Sequence, residues 1–452
     1  MSSEKDLEKM LGDPKVAIRS MILPFLLAMA VVEINQFVDT FWVSGLGVNS
    51  ASAVSTIVPI YGLMMCAGLG ISAGITTTAA FRLGMGDRET AGRLVSNSII
   101  LGLIFAVAAS VIVAFTLDPI IDIMGAQDVH DEAVQYMLPY IFMSPAVVLM
   151  TIVGGMLRAE GAAKKSTIVQ AVAAILNMII DPILIYSLDL GVFGAGLSTT
   201  ISSAIALMVG LHWYLRKRTI IKIDRSNFRI DKDAMKEVMG VGGPKTVQMF
   251  ISNFTDFLQR IFLIIAGGTT AVMMYNYAWR YIGVVTLPGR AVDTAMLPVC
   301  SSAYGQNDFK RMSDGYIYAI KLVVLFGIVL TLVLFIFSEP LMSIMTQEES
   351  MHEVFSQLVW TLRVSCILIP FVSLMGVFSS ILQSLKKAKI VMYYYMIWGF
   401  IKLGMYALAA YGYLGVDPFE GIIYCMVGMH VFGAICLGAF CYNEYRVMAD
   451  KE

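Results

Sequence analysis

Hydrophobic residues in this chain fall into long runs separated by short polar connections. Twelve such runs can be read, at 18–44, 51–81, 94–117, 134–157, 166–187, 193–215, 246–266, 270–300, 313–337, 354–383, 390–411 and 419–442. An α-helix rises 1.5 Å per residue, so about 20 apolar residues cross the hydrocarbon of a bilayer. The pattern predicts an all-α membrane protein of twelve transmembrane helices. Composition agrees: 58% of the residues are apolar and 14% charged, against about 25% charged in soluble proteins. The first run is too long for the core of a signal peptide, so helix 1 is expected to be retained.

The connections test the count independently. Lys and Arg number 4 in the N-terminal tail and the first turn of helix 1 (to Arg19), then 3, 3, 9, 2 and 3 in alternate connections and 2 in the C-terminal tail, while the six intervening connections have none. Basic residues stay on the cytoplasmic side, so both termini and the long central connection are expected in the cytoplasm, with the chain in the cell membrane. A net charge of −1 offers nothing to nucleic acid. The six cysteines form no CxxC pair and read as packing residues. Without HExxH, a Ser-Lys or Ser-His-Asp arrangement or a metal cluster, the chain is not expected to be an enzyme or to need a cofactor.

The two halves repeat. Offset by 220 residues, Pro24 aligns with Pro244, Glu33 with Asn253, Asp39 with Gln259 and Gly47 with Gly267; with one residue of slack, Gly84–Asp87 matches Gly305–Asp308. At 225, Ala163 matches Ala388 and Asn177 falls opposite Lys402. Six helices per half make the repeats parallel, about an axis along the membrane normal. The expected organisation is a lobe over 1–215, a charged linker over 216–245 and a lobe over 246–452.

Acids inside membrane helices normally face a polar cavity or a bound ion, because an ionised carboxylate in hydrocarbon costs several kcal/mol. Glu33 and Asp39 lie in the first run. Asn35 shares the face of Asp39, and Glu33 stands roughly 120° round the helix. Asn177 and Asp181 share a face of helix 5, just before Pro182, and Ser198-Thr199-Thr200 lies at membrane depth in helix 6. This oxygen-rich set suits a hard cation or an exchangeable proton. The second half is different. It holds all six intramembrane bases, Arg260, Arg280, Arg290, Lys321, Arg363 and Lys402. Arg260 is one turn from Asp256, which predicts an ion pair, while Arg280, Arg290 and Lys402 either bind an anionic group or pair with Asp293 and helix ends.

Phe37–Gly45, Gly68–Gly74 leading into Arg82–Asp87, Leu157–Gly161 with Lys164-Lys165, Asn177–Pro182 and Gly191–Gly196 occur in an order that resembles the multidrug and toxic compound extrusion (MATE) transporters, nearest their prokaryotic DinF-like branch. The resemblance implies a V-shaped antiporter, working by alternating access, that exports amphipathic, mostly cationic compounds in exchange for H⁺ or Na⁺. It implies a cation-coupling set of Glu33, Asp39, Asn177, Asp181 and Thr199, with Na⁺ held by Glu33, Asn177, Asp181 and Thr199. Pro24 matches a helix 1 proline tied to bending, and Asp256, Arg280 and Lys402 are candidates for a substrate or second-lobe site. Small amphipathic molecules and membrane lipids are the expected partners of a monomer. A lipid or lipid-linked oligosaccharide flippase of the same superfamily is the alternative.

Overall fold

The computed structural model describes residues 2–123, 127–223, 228–345 and 354–449. Every regular element among them is helical. The helices are α1 (Ser2–Leu11), α2 (Pro14–Ser44), α3 (Val48–Gly84), α4 (Arg88–Ile123), α5 (His130–Ala159), α6 (Ala163–Pro182), α7 (Gly191–Leu215), α8 (Lys232–Val285), α9 (Leu287–Gly305), α10 (Phe309–Ile336), α11 (Ser338–Met345), α12 (Phe355–Ser365), α13 (Ile369–Ser384), α14 (Ala388–Ala410) and α15 (Pro418–Ala449).

This is the twelve-helix membrane fold expected from the apolar runs, with differences of detail. Among the described residues, ten helical stretches are each long and apolar enough to cross a membrane. The run at 270–300 is interrupted, because the chain turns at Thr286 and passes from α8 into α9. The run at 354–383 is divided by a 3₁₀ turn at Cys366–Leu368. α8 already begins at Lys232 and breaks at Gly267-Gly268, where Gly268 takes φ +67° and ψ −158°, a conformation open to glycine and few others. Ten N-terminal residues read as a polar tail form α1, whose Leu7 and Met10 are buried.

Two compact units result: residues 1–250 with 297–312, and residues 251–296 with 313–449 of the described chain. In the first, small residues let helices approach closely, as membrane helices require. Ser72 on α3 donates to the carbonyl of Thr151 at 2.8 Å and Thr76 to that of Gly155 at 3.0 Å. A methyl group on Gly155 would collide with Ser72. Gly84 at the end of α3 and Gly305 at the end of α9 make a reciprocal crossing: a side chain on Gly84 would strike the Ser302 carbonyl, and one on Gly305 that of Phe81. In the second unit α15 packs against α12, α13 and α14.

The repeat is visible in turn geometry. After α3, the Asp87 amide bonds to the Arg82 carbonyl at 2.9 Å past Gly86 in the left-handed region, and Asp87 then caps α4 through the Thr90 amide at 3.0 Å. After α9, Asp308 bonds to Ala303 at 3.1 Å past left-handed Asn307, and caps α10 through the Arg311 amide at 2.9 Å. The turns after α5 and α13 match likewise, with Gly161 and Lys386 left-handed. Each satisfies carbonyls that a helix end leaves unpaired.

Candidate ion site and a buried lysine

In the first unit α6 packs against both α2 and α7, which brings residues distant in sequence onto one polar cluster. Asn177 and Asp181, one turn apart on α6, are 3% and 0% exposed. The Asn177 amide donates to Asp181 Oδ1 at 3.0 Å, and stands 2.6 Å from Ser198 Oγ and 3.3 Å from Thr199 Oγ1 on α7. Ser198 Oγ also donates to Asp181 Oδ1. Asp39 enters from α2, its carboxyl close enough to that of Asp181 for the two to feel each other's charge. Two ionised carboxylates are both acceptors, so a proton or a cation between them is favoured. Among the described residues, Asn35 Oδ1, Asp39 Oδ1 and Asp181 Oδ2 are buried oxygens with no hydrogen-bond partner. Buried acceptors without donors are costly. These three want a positive charge.

The structure thus brings together Asp39, Asn177, Asp181 and Thr199. Glu33 is half-buried on α2, turned about 120° from Asp39 by the helical repeat. Pro24 sits inside α2, which remains helical from Pro14 to Ser44. Ser198, a neighbour of the expected threonine, supplies the closer hydroxyl. Three tyrosines escaped the sequence reading. Tyr140 lies close to Thr199, its hydroxyl is 3.3 Å from that of Tyr136, and its ring centroid is 4.7 Å from that of Tyr61. Tyr61 and Tyr136 also lie within the field of Asp39. The signal available for two of them was the i, i+4 spacing of Tyr136 and Tyr140, which puts both on one face of α5.

In the second unit Asp256 meets a different base from the expected one. Its carboxylate lies 3.5 Å from Lys402 Nζ on α14, and not in an ion pair with Arg260. Arg260 is exposed and can be satisfied by water, whereas Lys402 is 3% exposed and needs a counter-charge. The ammonium also sits 4.8 Å from the Trp398 ring centroid and 5.9 Å from that of Tyr406. Asp293 accepts from Ser380 Oγ at 3.4 Å, and Arg280 is exposed on α8.

The family model named MatE matches residues 24–183 and 244–405, one match in each half and together most of the chain. The chain belongs to the MatE family. It is therefore a multi-pass membrane transporter of small molecules, not an enzyme, in a family that includes multidrug efflux proteins. Among MatE relatives, the FAD transporter of Shewanella oneidensis is 22% identical over 346 residues, 74% of this chain and 75% of that one. The multidrug export protein MepA of Staphylococcus saprophyticus is 26% identical over 314 residues, 69% of each. In fold, the chain superimposes on a crystal structure of MATE in complex with MaL6 with a TM-score of 0.94, at 24% identity and 99% coverage of both chains.

Proposed function

We propose that the protein is a secondary antiporter that exports amphipathic, mostly cationic compounds in exchange for H⁺ or Na⁺ by alternating access. In this reading the moving bodies are the lobes 1–215 and 246–452 joined by the linker 216–245, in the cell membrane with both termini cytoplasmic. The observation that carries it is the set of three buried oxygens without donors, on Asn35, Asp39 and Asp181. A proton or a small hard cation answers that need, with Asn177, Ser198 and Thr199 as neutral partners and Glu33 on the same helix as Asp39. Binding biases the protein only by the difference in ion affinity between its two conformations, and the α2 helix, interrupted in its hydrogen-bond ladder at Pro24, is the element placed to change shape.

The test is efflux of a cationic dye from proteoliposomes under a pH gradient and, separately, a Na⁺ gradient. Asp181→Asn should abolish gradient-driven efflux, a loss of tenfold or more, while the purified protein stays folded. Wild-type rates in the mutant would place the coupling site elsewhere. Two observations favour a second reading, a lipid or lipid-linked oligosaccharide flippase: the buried ammonium of Lys402 is suited to a phosphate, and one relative is named for the phosphate-bearing FAD.

A further inference from the structure

Lys402 is a charge that the coupling site does not use. Its side chain is 4% exposed, while that of its partner Asp256 is 59% exposed. The two are unequal in what they lose on separation. Asp256 can be hydrated where it stands, but a buried ammonium left alone carries its full desolvation penalty. Only another anion can take the carboxylate's place. The ammonium has three N–H donors and its single carboxylate contact is long, at 3.5 Å. The surroundings are aromatic. The Trp398 and Tyr406 rings lie against the ammonium, and His430 stands edge-on to Trp398 at 5.3 Å. The indole N–H is engaged with the Met429 carbonyl at 2.9 Å and His430 Nδ1 with that of Met426 at 2.7 Å, so these rings are fixed. The hydroxyl of Tyr406 is fully buried and has no hydrogen-bond partner among the described residues.

We infer that Lys402, Trp398 and Tyr406 form a subsite for an anionic group, a carboxylate or phosphate, carried on an aromatic amphiphile, with Asp256 as a tethered competitor that occupies the ammonium when the subsite is empty. A substrate anion takes the Lys402 ammonium and the free Tyr406 hydroxyl, Asp256 swings into water, and the aromatic part of the substrate stacks on fixed rings. The subsite would widen the substrates of the proposed exporter from cations to aromatic acids, and to that extent rests on that reading.

The test is fluorescence binding in phosphatidylcholine nanodiscs with two probes of one ring system, 1-pyrenecarboxylate and neutral 1-pyrenemethanol. Wild type should bind the carboxylate at least tenfold more tightly than the alcohol. Lys402→Met should weaken the carboxylate tenfold or more and move the alcohol less than threefold. Asp256→Asn, measured on protein whose thermal unfolding shows it folded, should tighten the carboxylate several-fold, because the competitor is gone. Weaker carboxylate binding in Asp256→Asn, or equal losses of both probes in Lys402→Met, overturns the subsite. Complete competition by phosphatidylglycerol in the nanodisc would assign the ammonium to a lipid headgroup and overturn the aromatic assignment. Wild type that binds the carboxylate yet exports no dye under either gradient overturns the antiporter and leaves the subsite standing; wild type that exports the dye but does not prefer the acid does the reverse.

Discussion

Glu160, just beyond the C-terminus of α5, is fully buried, and accepts the amides of Ile220 at 2.9 Å and Ile221 at 3.3 Å. Burial raises its pKa to about 7, against the opposing pull of those two amides and the Lys165 charge. The folded pKa thus lies above the ordinary 4.5. Its contribution to stability is complete below that ordinary value and is lost as the pH rises through 7. Between pH 5 and pH 8 this residue costs the fold roughly 2 kcal/mol. Glu160→Gln should flatten the dependence by that amount; thermal unfolding of both proteins at the two pH values checks it, and parallel curves would refute it. Glu160 also shows what a residue's type and neighbours along the chain leave unread. Asn177 and Asp181 were legible because one helical turn joins them. The partners of Glu160 at Ile220 and Ile221 lie in the connection after α7, those of Asp181 at Ser198 and of Lys402 at Asp256 lie on other helices, and the hydrophobic pattern sets neither the path of a connection nor the rotation of one helix against another.

Among elements, the long apolar runs were legible because length alone decides them, and the turns at Asp87 and Asp308 because a repeated sequence makes a repeated cap. α1 was not. Ten residues with two buried apolar side chains, Leu7 and Met10, give too short a period to stand out, and the helix is held by groups far along the chain. Arg88 pairs with Glu4 at 3.1 Å, and Arg311 donates to the Gly12 carbonyl at 2.7 Å. The break of the eighth run at Thr286 was also hidden, since apolar residues continue through it. The crossing of α3 and α9 makes the firmest prediction at this scale. Gly84→Ala forces backbones apart and should cost about 1–3 kcal/mol, as should Gly305→Ala. Because both act on one contact, the double variant should lose less than the sum, measured by thermal unfolding; additive losses would mean two independent contacts.

Across the whole molecule, the alternation of basic connections predicts which face of the membrane each turn meets. Ser187, before α7, and Arg216, after it, are both exposed. A cysteine at 187 should react with a membrane-impermeant maleimide on intact cells, and one at 216 only after permeabilisation. The opposite result would invert the orientation. The reciprocal contact of Gly84 with Ser302 and Gly305 with Phe81 bears on history. Two copies of a six-helix ancestor meeting about a two-fold axis would make that contact with one glycine used twice, and one codon would have governed both sides. Fusion of two such copies would separate them. Each half would then be free to acquire its own charges, acids in the first and bases in the second, while the two glycines, inherited independently, would remain under the same steric demand.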